Sequence, residues 1–203
     1  MNIRFRLAAP SDAARLLDIY RPYVETTTVT FEYDTPTVEE FRARIVEFSA
    51  EFPYILCECD GMAVGYAYAH RYKARFSYRF AAELSIYLDM GFRGMGIGRA
   101  LYGALIELTE LMGYKSLYGT VTSPNPASCA LHESFGFLEV GREHRVGYKF
   151  GKWIDVMIFE KLIGERKESD EPSLWRICPL SVDTLGDKVD VILRKYEKIA
   201  SSV

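Results

Sequence analysis

A chain of 203 residues, 49% hydrophobic and 26% charged, has the balance of a folded globular protein with a sizeable core, and its length suits one domain plus an appendage. Lys+Arg 25 against Asp+Glu 28 gives a net charge of -3, which argues against nucleic acid as the main partner because duplex binding needs a cationic face. No apolar run approaches the roughly 20 residues that span a bilayer, and Met1 to Arg6 alternates instead of forming a leader's apolar block. The expectation is a cytoplasmic enzyme or binding protein with no membrane partner.

Residues 3 to 8 set Ile3, Phe5 and Leu7 against Arg4, Arg6 and Ala8, the period of a half-buried strand. Pro10-Ser11-Asp12 opens a helix that runs to about Val24. Thr37 and Glu40 make a capping box ahead of a second helix carrying Phe41, Ile45 and Phe48. Tyr54–Cys59, the turn Asp60-Gly61 and Met62–His70 read as a β-hairpin. Phe80–Leu88 is a further strand, and after a glycine-rich turn a long helix covers about Gly98 to Met112. Lys115–Thr122 is a strand broken by Ser123-Pro124-Asn125-Pro126, Ala127–Phe135 a short helix ended by Gly136, and Phe137–Tyr148 pairs with Trp153–Leu162. This order is mixed α/β without the strict alternation of a doubly wound parallel sheet.

From Glu165 the composition turns to a charged linker, which divides the chain into residues 1–164 and a tail, 165–203. In the tail Val182, Leu185, Val189, Ile192, Tyr196 and Ile199 step by three and four, the stripe of an amphipathic helix that packs on its own domain or on a second subunit. Cys57, Cys59, Cys129 and Cys178 show no paired metal spacing with His70, His132 or His144, so reduced thiols and no metal are expected.

Arg93-Gly94-Met95-Gly96-Ile97-Gly98 lies between a strand and a helix, where glycines let amides turn inward and the helix end adds partial positive charge. Such a turn cradles an anion. Arg99-Ala100 stands where a P-loop has Lys-Ser/Thr, and the placement is not that of a dinucleotide turn.

This R-x-x-G-x-G resembles the pyrophosphate loop of the GNAT family of N-acetyltransferases. Ser123-Pro124-Asn125 resembles that family's CoA-contacting turn, and Ala130-Leu131-His132-Glu133-Ser134-Phe135-Gly136-Phe137 its helix-to-strand segment, with His132 where Tyr is usual. Lys73-Ala74-Arg75, Tyr78-Arg79, Glu83 to Tyr87, Leu131 to Glu133 and Gly147 to Asp155 are similar, in order, to the phosphinothricin N-acetyltransferase branch, which includes acetyltransferases of methionine sulfoximine and methionine sulfone. Ala81 departs from the Thr frequent there, and the tail runs beyond that branch's usual end.

The resemblance implies an α+β fold with a central, mostly antiparallel mixed sheet flanked by helices, acetyl-CoA as cosubstrate without a metal, and a homodimer. It also implies roles. Arg93, Gly94, Met95, Gly96, Ile97, Gly98 and Arg99 would hold the pyrophosphate, and Ile86, Tyr87 and Leu88 the pantetheine and the acetyl carbonyl, with Asn125 and Ser134 along the arm. Glu83 would be the general base and His132 the acid for the departing thiolate. A small amino-acid-like acceptor asks for cations and aromatic walls, for which Lys73, Arg75, Arg79 and Lys149 with Phe31, Tyr78 and Trp153 are the candidates, while Glu32 would hold its ammonium. A protein N-terminus, a lysine or a polyamine as acceptor, or an inactive acyl-CoA-binding module, stands as the alternative.

Overall fold

The computed structural model describes residues 1–168 and 176–202. In chain order its elements are β1 (Ile3–Leu7), α1 (Ala13–Thr26), α2 (Val38–Ser49), β2 (Tyr54–Cys59), β3 (Met62–Arg71), β4 (Ala81–Leu88), α3 (Ile97–Leu111), β5 (Ser116–Ser123), α4 (Pro126–Ser134), β6 (Leu138–Lys149), β7 (Lys152–Leu162) and α5 (Lys188–Ser201). Local chemistry sets the boundaries. Thr37 and Glu40 close the expected box on α2, Oγ1 accepting from Glu40 N at 3.2 Å and the carboxylate from Thr37 N at 2.7 Å. Asp60 and Gly61, at φ 50 and 84, make the tight turn between β2 and β3.

The strands form one sheet in the order β1-β2-β3-β4-β5-β7-β6. All neighbours are antiparallel except β4 and β5, which run parallel and pair only where Ala81, Ala82 and Glu83 meet Ser116, Leu117 and Tyr118. Beyond that point the two central strands are unpaired with each other, which opens a wedge in the middle of the sheet.

Strand alternation divides the core into two layers. Tyr54, Leu56 and Tyr66 pack with Leu16, Leu17, Ile19 and Ile45 of α1 and α2. Ile55, Cys57, Ala67, Ala69, Ala82 and Leu84 point to the other face, where Leu101, Leu105 and Leu108 of α3 cover them.

The tail joins that second layer. Leu180 N donates to Met112 O at 2.8 Å, a 3₁₀ turn follows at Val182–Leu185, and Gly186 at φ 52 ends it before α5 begins. The expected stripe is thus split: Val182 and Leu185 precede the helix, and in α5 Val189, Ile192, Leu193 and Ala200 are buried while Ile199 is 42% exposed. The glycine resets the phase that spacing alone carried through. α5 lies on β1 and α3 of its own chain: Glu197 accepts from Phe5 N at 2.8 Å, and Tyr196 sits where a Cβ on Gly103 would come within 2.5 Å of its ring. No helix among the described residues is long and apolar enough to cross a membrane.

Candidate active site

The wedge is built by hydrogen-bond alternation. Asp89 N donates to Val64 O of the neighbouring β3 side at 2.8 Å, so the main chain of Leu84, Ile86 and Leu88 is directed to the opposite edge, where β5 has departed. Tyr23 of α1 takes up the last of these: its hydroxyl donates to Leu88 O at 2.7 Å and accepts from Leu88 N at 3.1 Å. Ile86 keeps its N–H and C=O toward the gap. Tyr87 does not, and its ring lies edge-on to Tyr20 and Tyr23 at centroid distances of 4.9 and 5.1 Å.

A cavity of about 60 Å³ occupies the wedge, with Ser85 and Ile86 on one side and Thr120, Thr122, Asn125 and His132 on the other. The Thr122 hydroxyl is buried and has no hydrogen-bond partner among the described residues. A buried unpaired hydroxyl costs about 1–3 kcal/mol, which a polar ligand in the wedge would offset. Asn125 caps α4, its side chain accepting from Ser128 N at 3.2 Å, while the exposed Ser134 hydroxyl turns back to Leu131 O at 2.8 Å.

At the open end of β4 the glycine turn leads into α3. Gly94 and Gly96 take φ 77 and 74, a region that disfavours side chains, and Ala100 N is the first amide to close onto Gly96 O, at 3.1 Å. The preceding amides of Ile97, Gly98 and Arg99 are not used by the helix and carry the positive end of its dipole. A Cβ on Gly98 would come within 3.0 Å of Leu88, so this residue sets how closely α3 approaches β4. Arg93 stacks over Tyr23 at 4.8 Å and Arg99 over Phe135 at 5.0 Å, while Met95 is exposed.

His132 is 3% exposed and held at both nitrogens: Nδ1 donates to Ser128 O at 2.8 Å and Nε2 accepts from the Tyr102 hydroxyl at 3.0 Å. Its ring stacks on Phe159 and lies against Gly119, where a Cβ would come within 2.1 Å of Nε2. Burial pushes its pKa below the ordinary imidazole value, so the ring is neutral near pH 7. Tyr102 and Gly119 escape a reading by motif; the available signal was a tyrosine in the apolar stripe of a helix, whose hydroxyl needs a partner.

Glu83 is half-buried at the last β4–β5 pair, opposite Tyr118 of β5 and His70 of β3. Alternation turns it to the face of α1 and α2, whereas His132 packs on the opposite face, so acid and imidazole flank the wedge from two sides.

The candidate acceptor residues form two groups. Lys73, Arg75, Tyr78 and Arg79 belong to the loop between β3 and β4, with the Lys73 ammonium 4.9 and 5.0 Å from the rings of Tyr72 and Tyr78. The second group surrounds the β6–β7 tip. Phe31 lies on Gly147, Glu32 is paired with Arg44 at 2.7 Å, and Trp153 is 57% exposed beside Tyr148. Lys149 is buried and donates to Val24 O at 2.7 Å and Thr30 O at 2.8 Å, so its ammonium ties down the segment after α1. Its pKa is lowered by burial, with Glu32 opposing.

Among the described residues no group of three or more His, Cys, Asp or Glu could hold a metal ion. Residues 5–158 match the model of the acetyltransferase (GNAT) domain. A phosphinothricin N-acetyltransferase of Alcaligenes faecalis is 38% identical over 77% of this chain and 80% of its own. An L-methionine sulfoximine/L-methionine sulfone acetyltransferase of Salmonella typhimurium is 29% identical over 84% of this chain and 99% of its own. The solved phosphinothricin acetyltransferase of Sinorhizobium meliloti, in complex with acetyl-CoA, superposes with a TM-score of 0.80 at 31% identity, covering 86% of this chain and 98% of that one. With the split central sheet, the glycine turn on α3 and a domain match over most of its length, this chain belongs to the GNAT acetyltransferase family.

Proposed function

We propose that this N-acetyltransferase takes its acetyl group from acetyl-CoA and delivers it to the α-amine of a small amino-acid analogue of the phosphinothricin, methionine sulfone or methionine sulfoximine type. The observation that carries the reading is the unpaired stretch of β4 running into the glycine turn. An open strand edge at Ile86, an unpartnered Thr122 hydroxyl and the positive end of α3 suit a ligand that is amide-rich along its arm and anionic at its end. Bound there, acetyl-CoA supplies the activated thioester.

The chain's own groups divide the remaining work. The amides after Gly96, with Arg93 and Arg99, hold the pyrophosphate. The Ile86 N–H polarises the acetyl carbonyl, a fixed dipole in a small dry cleft where such donors act strongly. Glu83 removes the ammonium proton, directly or through water. His132, on the far side of the wedge, is assigned to the leaving thiolate, relaying to it the proton that the attacking amine gives up. Lys73, Arg75, Tyr78 and Arg79 receive the acceptor's acidic groups, while Lys149 and Glu32 act by holding the segment that carries Phe31.

A homodimer is part of the same reading: Leu138, Val140, Val146 and Tyr148 on edge strand β6, with Phe150 in the turn that follows, each at least 49% exposed, form an apolar margin suited to a second copy. Light scattering at twice the chain mass supports this, and a monomer refutes it. Four free cysteines fit a reducing, cytoplasmic setting.

The deciding experiment follows thiol release from acetyl-CoA with a panel of amines. Turnover with phosphinothricin, methionine sulfone or methionine sulfoximine, well above that with polyamines, lysine or peptide N-termini, is the expected result. The reverse ranking, or no turnover with any amine, defeats the proposal.

A further inference from the structure

Tyr66, Tyr68 and His70 of β3 and Glu83, Ser85 and Tyr87 of β4 point to one face of the sheet, the face that α1 and α2 cover. In that row His70 and Glu83 are direct cross-strand partners. Because Asp89 N donates to Val64 O, the pairs that step back from it by two residues exchange their main-chain hydrogen bonds, His70 with Glu83 among them. Their Cβ atoms are thereby set about 5 Å apart. The half-buried His70 ring lies 5.6 Å from that of Phe48 on α2 and 5.7 Å from that of Tyr68. Its Nδ1 is 3.3 Å from Arg71 O, and since a carbonyl only accepts, Nδ1 carries the proton and Nε2 keeps its lone pair. Nε2 has no hydrogen-bond partner among the described residues.

The other groups nearby are unsuited to taking up a proton. Tyr118, the partner of Glu83 on β5, donates its hydroxyl to Glu160 Oε1 at 2.5 Å, and burial together with that bond pushes its pKa up to about 12. Burial pushes Tyr68 up to about 12 and Tyr54 of β2 well above its ordinary value. Around His70, Arg71 is paired with Glu51 at 2.9 Å and Arg44 of α2 with Glu32 at 2.7 Å, while Glu47 is exposed. Imidazole is the side-chain type among these neighbours that ordinarily changes charge between pH 5 and 8.

Acetylation of an ammonium breaks two N–H bonds and releases one net proton: one hydrogen passes through His132 to the thiolate, and the other is left on Glu83. That carboxyl must be cleared before it can deprotonate the next acceptor. We infer that His70 clears it: through one bridging water the Glu83 O–H bond breaks and a His70 Nε2–H bond forms, after which the imidazolium gives the proton to solvent. The carboxylate and the neutral ring are both restored. His70 touches neither acceptor nor acetyl-CoA in this scheme; it is a positioning residue that acts through Glu83, and the inference rests on the assignment of Glu83 as the base.

The test measures kcat of the full-length chain against pH, with saturating acetyl-CoA and the best acceptor of the amine panel. In His70→Ala, kcat near neutral pH should fall about tenfold with the KM for acetyl-CoA unchanged, and free imidazole at about 50 mM should restore most of it. Glu83→Gln, which leaves no space for the added ring, should not respond to imidazole. The wild-type profile should lose kcat on the acid side where imidazole gains its charge and can no longer accept, and His70→Gln should lack that limb. Should His70→Ala fail to fold, the near-isosteric His70→Gln still gives the profile. Wild-type kcat in the His70 variants, a loss that imidazole does not relieve, or an unchanged acid limb in His70→Gln overturns the inference. Wild-type turnover in Glu83→Gln is a different failure, since it removes Glu83 as the base and the proposed mechanism with it.

Discussion

Glu83 and His132 differ in what surrounds them, and substitution should separate their roles. Glu83→Gln keeps the size and the strand but removes the base, so kcat should fall by about 10²–10⁴-fold while the KM for acetyl-CoA stays near wild type. Wild-type turnover across the pH range in that variant would make Glu83 structural. His132 offers a stability readout as well. Its folded pKa is depressed by burial, so its neutral form favours the native state, and that contribution is complete above the unfolded value of about 6.5. Below it the unfolded chain binds the extra proton first, and stability falls with pH until the folded pKa is passed. Melting temperatures measured downward from neutral pH should decline more steeply in the wild type than in His132→Asn. Parallel profiles would show that the imidazole titrates as freely in the folded protein as in the unfolded chain.

Elements with strong local chemistry were legible from the sequence: the capping box of α2, the Asp60-Gly61 turn and the glycine turn before α3 all depend on residues adjacent in the chain. The contents of the wedge were legible only in part, because they depend on partners that the fold brings together. Nothing near Lys149 in the sequence indicates that its ammonium meets the carbonyls of Val24 and Thr30, and nothing near His132 indicates Tyr102. The contact between α3 and α5 is of the same kind, since Gly103 looks like a weak helix residue until Tyr196 fills the space above it. Gly103→Ala should therefore lower stability by about 1–3 kcal/mol through overpacking, despite alanine's better helix propensity. Adding Tyr196→Leu should recover much of the loss in a thermal melt. A Gly103→Ala protein as stable as the wild type would mean that the two helices separate at no cost.

At the scale of the whole molecule the question is whether the tail is an appendage. Val182, Leu185, Val189, Ile192, Leu193 and Ala200 are each at most 8% exposed and belong to the same cluster as β1 and α3. Burying a large aliphatic side chain contributes about 1.5–3 kcal/mol, so the tail's gross apolar contribution approaches 10 kcal/mol, comparable with the roughly 5–15 kcal/mol that holds a whole domain. A tail that served only solubility or assembly would let a chain cut after Gly164 keep its fold and detectable acetylation. These magnitudes point to a heavier penalty: the cut chain also loses the Glu197 carboxylate that satisfies Phe5 N on edge strand β1 and opens that edge to aggregation. We expect the truncated chain to be recovered mainly as aggregate, or to melt at least about 10 °C lower, consistent with several degrees per kcal/mol for a protein of this size. The point variant Leu193→Ala, buried in the same contact, should lower stability by about 2–5 kcal/mol while leaving kcat unchanged, which separates support of the fold from chemistry. A truncated protein that melts with the full-length chain would show α5 to be a dispensable passenger on β1 and α3.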